Sequence, residues 1–178
     1  MGTWKSRGLR GSTLEELINF TNDKYKEQGI GLIQKIPTPI KPINIDKSKG
    51  HITLAYFEQK STVDYIGVVQ GIPICFDAKE CNTDTIPMHN IHKHQIEFMQ
   101  DFEKQKGVAF ILLSLTAKNE MYFIPFRHIK IFYDRMEAGG RKSFKYDEID
   151  KSYLITQKPG VPVHYLPCLQ GYLDEIDY

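Results

Sequence analysis

The stretch IPICFDAKE, Ile72 to Glu80, sets two chemically active groups, Asp77 and Lys79, in apolar surroundings. As a β-strand, whose side chains alternate between faces, it puts Cys75, Asp77 and Lys79 on one surface and Ile72, Ile74, Phe76 and Ala78 on the other. The preceding run from Asp64 to Val69 reads as a second strand, and Gln70-Gly71 between them suits a minimal hairpin connection. Antiparallel pairing through that turn brings residues near 64 alongside residues near 77, so two carboxylates and an ammonium converge. Hard oxygen ligands of this kind bind Mg²⁺ or Mn²⁺, and a neighbouring lysine can orient a water or stabilise charge developing at phosphorus. The set suits phosphodiester hydrolysis. An Asp-x-Lys pair on a solvated face is equally an ordinary ion pair, and the spacing alone occurs constantly by chance.

The elements that must position these groups can be read along the chain. Residues 1 to 11 carry Lys5, Arg7 and Arg10 without an acid and read as a basic arm. Ser12 with Glu15 three positions on forms a capping-box signature, and Leu14, Leu17, Ile18, Thr21 and Tyr25 mark one face of a helix over about 13–27. Ile30 to Ile36 alternates as a strand, and Pro37, Pro39 and Pro42 force an extended path after it. Ile40–Ile45 and His51–Phe57, joined by the polar DKSKG, predict a projecting hairpin over 39–58. The spacing of Ile91, Gln95, Phe98, Met99 and Phe102 predicts a helix from about 90 to 105, closed by Gly107. VAFILLSL from Val108 reads as a buried central strand, followed by a strand at 121–125 and a short aromatic helix at 127–136. Beyond Gly139-Gly140 the pattern predicts irregular, mixed structure.

Composition bounds the function. With 178 residues, 41% of them hydrophobic and 25% charged, the chain reads as a single soluble domain over 1–178. A net charge of +1 leaves any polyanionic partner to local patches. Cys75, Cys81 and Cys168 form no Cys-x-x-Cys pair and are odd in number, which fits free thiols in the cytoplasm. No apolar run approaches the roughly 18 residues of a membrane span, so no membrane partner is expected. His89, His92 and His94 lack accompanying cysteines, and a helix would put His92 and His94 on different sides, so a solvated helix start is favoured over zinc.

Taken together, the string STVDY-x-GV, then FDAKE, then HKHQIEFM, with KIPTP upstream and RMEAGGRKS downstream, resembles the RecU family of Holliday-junction resolvases. That family lies within the PD-(D/E)xK restriction-endonuclease-like superfamily. The resemblance runs from about Arg7 to near the end of the chain. It implies an α/β restriction-endonuclease-like fold, a mixed β-sheet flanked by helices with a projecting hairpin stalk. It also implies a homodimeric endonuclease that uses Mg²⁺, with Mn²⁺ able to substitute, to place paired symmetrical nicks in four-way junction DNA during recombination and repair. By resemblance Asp64 and Asp77 are metal ligands and Lys79 is the catalytic lysine. Glu15 matches a first-helix glutamate that completes many such sites, and Gln95 a helix residue able to bond the attacking water or the DNA backbone. Arg7, Arg10, Lys35 and Lys49 are the expected DNA contacts, with further basic residues between Arg127 and Lys145. A strand-exchange recombinase and a branch-migration helicase are the partners implied.

This sequence departs from the family pattern in a shorter hairpin tip, in Leu54 where glutamate is common, and in Asp77 where glutamate is more frequent. Aspartate keeps the charge and shortens its reach by one methylene. Two rivals share much of the pattern: a flap or duplex endonuclease of the same superfamily, and a noncatalytic junction-binding modulator of a recombinase.

Overall fold

The computed structural model describes residues 13–57 and 62–178. In chain order the elements are α1 (Leu14–Glu27), β1 (Gly31–Lys35), β2 (Ile40–Asp46), β3 (His51–Phe57), β4 (Tyr65–Val69), β5 (Ile72–Cys81) and β6 (Thr85–Pro87). A single 3₁₀ turn (Met88–Asn90) leads to α2 (Lys93–Lys104), β7 (Val108–Leu115), β8 (Glu120–Pro125), α3 (Phe126–Glu137), β9 (Ser143–Lys145) and α4 (Leu166–Ile176).

Five strands form one mixed sheet in the order β1-β4-β5-β7-β8. Only β5 and β7 run parallel, because α2 carries the chain back across the sheet between them, and the other neighbours are antiparallel. Helices cover both faces. Leu14, Ile18 and Tyr25 of α1 pack with Leu169, Tyr172 and Leu173 of α4 over Ile74, Phe76 and Phe110. On the opposite face Ile96 and Met99 of α2 and Phe126 and Ile129 of α3 pack over Cys75, Ile111 and Leu113. Covered on both sides, β7 is a continuous apolar run, as VAFILLSL predicts.

An aromatic row ties four strands together. Tyr65 stacks on Phe76 at 4.7 Å, Phe76 on Phe110 at 4.7 Å, and Phe110 lies 4.3 Å from Phe123, one ring from each of β4, β5, β7 and β8. Such neighbouring rings each contribute about 0.5–1.5 kcal/mol beyond the area they bury. The β4–β5 turn is as short as expected, with Gln70 and Gly71 both at positive φ, 46° and 90°, the backbone that matches strand twist across a two-residue hairpin.

The hairpin β2–β3 stands apart. Its residues are exposed except Asp46 and Ala55, which are half-buried, and its turn is held by the Asp46 carboxylate, which accepts from the Ser48 amide at 3.0 Å and the Ser48 hydroxyl at 2.6 Å. Among the described residues no helix is long and apolar enough to cross a membrane.

Three sequence expectations need correction. The capping box of α1 is Thr13 with Glu16, not Ser12 with Glu15, and Ser12 lies outside the described residues. Replacing Thr13 with alanine should cost about 1 kcal/mol in urea denaturation, since one amide at the helix start would lose its acceptor. The segment after Gly139-Gly140 is not simply irregular: β9 pairs with β6, and α4 completes one helical layer. Pro167 and Gly171 obscure that helix, yet proline costs nothing in a first turn, where its missing N–H has no helical partner. Finally, His92 is the residue before α2 and its ring stacks on that of His94 at 5.4 Å, so the two do not lie on different sides.

Candidate active site

The register of the β4–β5 hairpin builds the site. Tyr65 stands opposite Phe76, so the same register continued by one residue sets Asp64 opposite Asp77. There the backbone ladder gives way to an exchange of side chains. The Asp64 amide donates to Asp77 Oδ1 at 2.8 Å, and the Ala78 amide donates to Asp64 Oδ2 at 2.9 Å. Each carboxylate thus anchors the other's strand with one oxygen and has one left, Asp64 Oδ1 and Asp77 Oδ2.

Asp77 is fully buried on the face of Cys75 and Ile111. Its Oδ2 lies 3.1 Å from Lys79 Nζ and accepts no well-aligned hydrogen bond. Burial pushes its carboxyl above the usual range, and Asp64 adds to the rise, while Lys79 opposes it. A buried acid oxygen that lacks a well-aligned hydrogen bond and faces a second acid is better satisfied by a divalent cation together with the ammonium than by the ammonium alone. Two carboxylates therefore fit a divalent ion, although no group of three His, Cys, Asp or Glu residues converges among the described residues.

The structure distributes the other candidates as follows. Glu15 lies in α1, which packs on the opposite sheet face, and its carboxylate is paired with Lys35 Nζ. That pair still borders the site: Lys35 ends β1 opposite Tyr65, and the next residue, Ile36, donates its amide to the Asp64 carbonyl at 2.8 Å. With the capping box reassigned to Glu16, no helix-capping role accounts for Glu15. Lys35, expected on phosphate, is in this state engaged by Glu15. Gln95 is buried, and its Oε1 accepts the His92 amide at 2.9 Å to close the first turn of α2, leaving the amide nitrogen as a donor. Lys49 sits exposed in the β2–β3 turn. Arg7 and Arg10 lie outside the described residues.

The basic segment from Arg127 to Lys145 is largely spent within the protein. Arg127 pairs with Glu175, Lys130 with Asp134, and both Arg135 and Arg141 with Glu148. For the three arginines the neutralising acids, Glu148 and Glu175, come from beyond the local run, which a charge count within the segment misses. Sequence reasoning also missed Glu80, whose Oε1 accepts the Leu14 amide at 2.9 Å and pins the start of α1 to the strand carrying Asp77 and Lys79. An acid following the lysine was a visible signal, since helix starts attract carboxylates.

A family model described as Recombination protein U matches residues 9–171. The chain belongs to the RecU family. It is 40% identical over 175 residues to a protein of Geobacillus sp. (strain WCH70) named Holliday junction resolvase RecU, covering 96% of this chain and 81% of that one. RecU-family proteins of the same name from Bacillus pumilus (strain SAFR-032) and Staphylococcus aureus (strain JH9) are 39% and 37% identical, over 95% and 96% of this chain and 85% and 81% of theirs. Among solved structures, Archaeoglobus fulgidus Hjc, described as a Holliday junction resolvase, aligns over 78% of this chain and 86% of its own at 12% identity with a TM-score of 0.40. That likeness is too distant to bear on function.

Proposed function

We propose that this RecU-family chain is a Holliday-junction resolvase, an endonuclease that hydrolyses phosphodiester bonds in four-way DNA with Asp64, Asp77 and Lys79 at its centre. The observation that carries the assignment is the exchange between Asp64 and Asp77, which fixes two acids face to face with Lys79 Nζ 3.1 Å from one of them. Bonds of 2.8 and 2.9 Å to backbone amides hold both carboxylates before any ligand arrives, so little reorganisation opposes catalysis.

Asp77 Oδ2 and Asp64 Oδ1 would hold Mg²⁺ or Mn²⁺, with Glu15 as a third carboxylate after giving up Lys35. A bound ion of this kind supplies Lewis acidity to the scissile phosphate and makes water a better nucleophile. Lys79, partly exposed beside the buried acid, orients the attacking water in line with the leaving 3′-oxygen and offsets negative charge gathering on the phosphoryl oxygens. Gln95 steadies the first turn of α2 and offers its amide N–H to the water or to the DNA backbone. Were Glu15 to serve the cation, Lys35 would be available to a phosphate, and Arg7, Arg10 and Lys49 would extend the contacts. The products are 5′-phosphate and 3′-hydroxyl ends that a ligase can reseal.

A four-way junction has two strands to cut, so a two-fold homodimer in which each protomer nicks one strand fits the substrate's symmetry. The reaction belongs in the cytoplasm, alongside a strand-exchange recombinase and a branch-migration helicase.

The test compares the parent with Lys79→Ala on a mobile four-way junction, a flap and linear duplex, in Mg²⁺. Lys79→Ala should cut the junction about 10²- to 10³-fold more slowly while keeping the rise in melting temperature that Mg²⁺ gives the parent. Equal cutting of all three substrates by the parent would point to a general nuclease, and undiminished cutting by Lys79→Ala would remove the lysine from the mechanism.

A further inference from the structure

Beyond Lys79, β5 runs into a concavity of about 510 Å³, open to solvent and walled by Cys81, Asn82, Thr83, His89, Asn90 and Thr116. Glu80 lines it as well, and Glu80 and Asn90 also border the small cavity beneath Lys79, so groove and site share a wall. Cys81 is four residues from Asp77 along the strand, about 13 Å at about 3.3 Å per residue. That is the rise of about four nucleotide steps of a B-form strand.

Apart from Glu80 and Pro87 the walls are neutral hydrogen-bonding groups, and the acids at and near the groove are engaged elsewhere. Glu80 Oε1 accepts the Leu14 amide at the start of α1, and Asp84 faces Lys118 Nζ at 3.1 Å. Two lysines stand on backbone that pairs with the segment leading from the groove. Pairing of β6 with β9 sets Lys145 opposite Thr85, and the Met88 amide donates to the Lys142 carbonyl. Neither Lys142 nor Lys145 makes an ion pair among the described residues. Amides, hydroxyls and an imidazole are side chains that can grip phosphate and sugar without reading bases.

We infer that this groove binds the sugar-phosphate backbone of the cut strand on one side of the scissile bond, an inference that rests on the resolvase assignment above. The groove sets the reach of the enzyme along that strand, and His89, exposed on its wall, faces phosphate.

A native thiol reports on the groove. Cys81 is partly exposed whereas Cys75 and Cys168 are buried, so a maleimide applied to the folded protein labels Cys81. Full-length Asp77→Asn protein, which holds the junction uncut, is mixed with four-way junction in Mg²⁺, complex formation is followed by gel shift, and labelling is timed in the same samples. Labelling of Cys81 should slow at least about 10-fold in the complex. In parallel, His89→Glu should weaken junction binding about 10-fold and His89→Lys should tighten it, with the salt slope of log K changing by about one in opposite senses. A purely structural role would not produce that opposition. A formed complex in which Cys81 reacts at the free rate, or His89 variants that leave affinity and salt slope unchanged, would overturn the inference. Failure of any complex to form would instead sink the resolvase assignment, and the groove's role with it.

Discussion

Asp77→Asn should cut four-way junctions at least about 10²- to 10³-fold more slowly than the parent, yet melt at a higher temperature in metal-free buffer. Both effects come from one oxygen. Asp77 is fully buried, and its Oδ2 has only Lys79 Nζ at 3.1 Å to offset its charge. Burial pushes the carboxyl up to about 6 from 3.8, so the folded state binds a proton more tightly than the unfolded chain does. The sign follows directly: this group's contribution to stability is complete below pH 4 and is lost as pH rises through about 6. The roughly two-unit rise corresponds to about 3 kcal/mol at neutral pH. Asparagine keeps the acceptor for the Asp64 amide and removes the buried charge, while Lys79 retains enough exposure to be solvated. Melting of the variant should therefore be flatter between pH 4 and 7, a few degrees above the parent at pH 7, and unresponsive to Mg²⁺. Equal pH slopes in the two proteins would show that Asp77 carries no strained charge.

Gly67→Ala should cost about 3 kcal/mol or more, because the added methyl group meets backbone rather than a side chain that can turn aside. Gly67 lies in β4 between Ile33 of β1 and Ile74 of β5, held by ladders on both sides. A Cβ there would stand 2.4 Å from the Leu32 carbonyl oxygen and 2.6 Å from Ile33 Cα, which are backbone atoms that move only if β1 moves. Displacing β1 also shifts Lys35 and the Ile36 amide that bonds the Asp64 carbonyl, so cutting should fall along with stability. Gly171→Ala is the control, since nothing lies within 4 Å of its added Cβ and alanine favours the helix of α4. Urea midpoints should move in opposite directions for the two variants. Tolerance of alanine at 67 would mean that β1 and β4 do not approach this closely.

The family strings and most elements near the site were legible because their causes are local. The helix read over 13–27 is Leu14–Glu27, the buried run VAFILLSL is β7, and the hairpin arms fall at Ile40–Asp46 and His51–Phe57. Helix α4 was less visible because Pro167 and Gly171 suggest a break, although Leu166, Leu169, Leu173 and Ile176 keep helical spacing. The excess of positive charge from Arg127 to Lys145 misled for a different reason: Glu148 and Glu175 take up three of its arginines from outside the local pattern.

By itself the chain's order of residues determined that Asp77 and Lys79 share a strand face and that Asp64 comes opposite Asp77. A period of two and a two-residue turn leave no other outcome once the hairpin forms. Only the tertiary structure decided how those groups are charged and partnered. Packing of α2 and α3 over that face, with β7 alongside in the sheet, seals Asp77 from water, and docking of α1 against β1 and β5 gives Glu15 to Lys35 and Glu80 to the Leu14 amide. Desolvation and ion pairing depend on which distant segments meet, and sequence spacing carries no term for that.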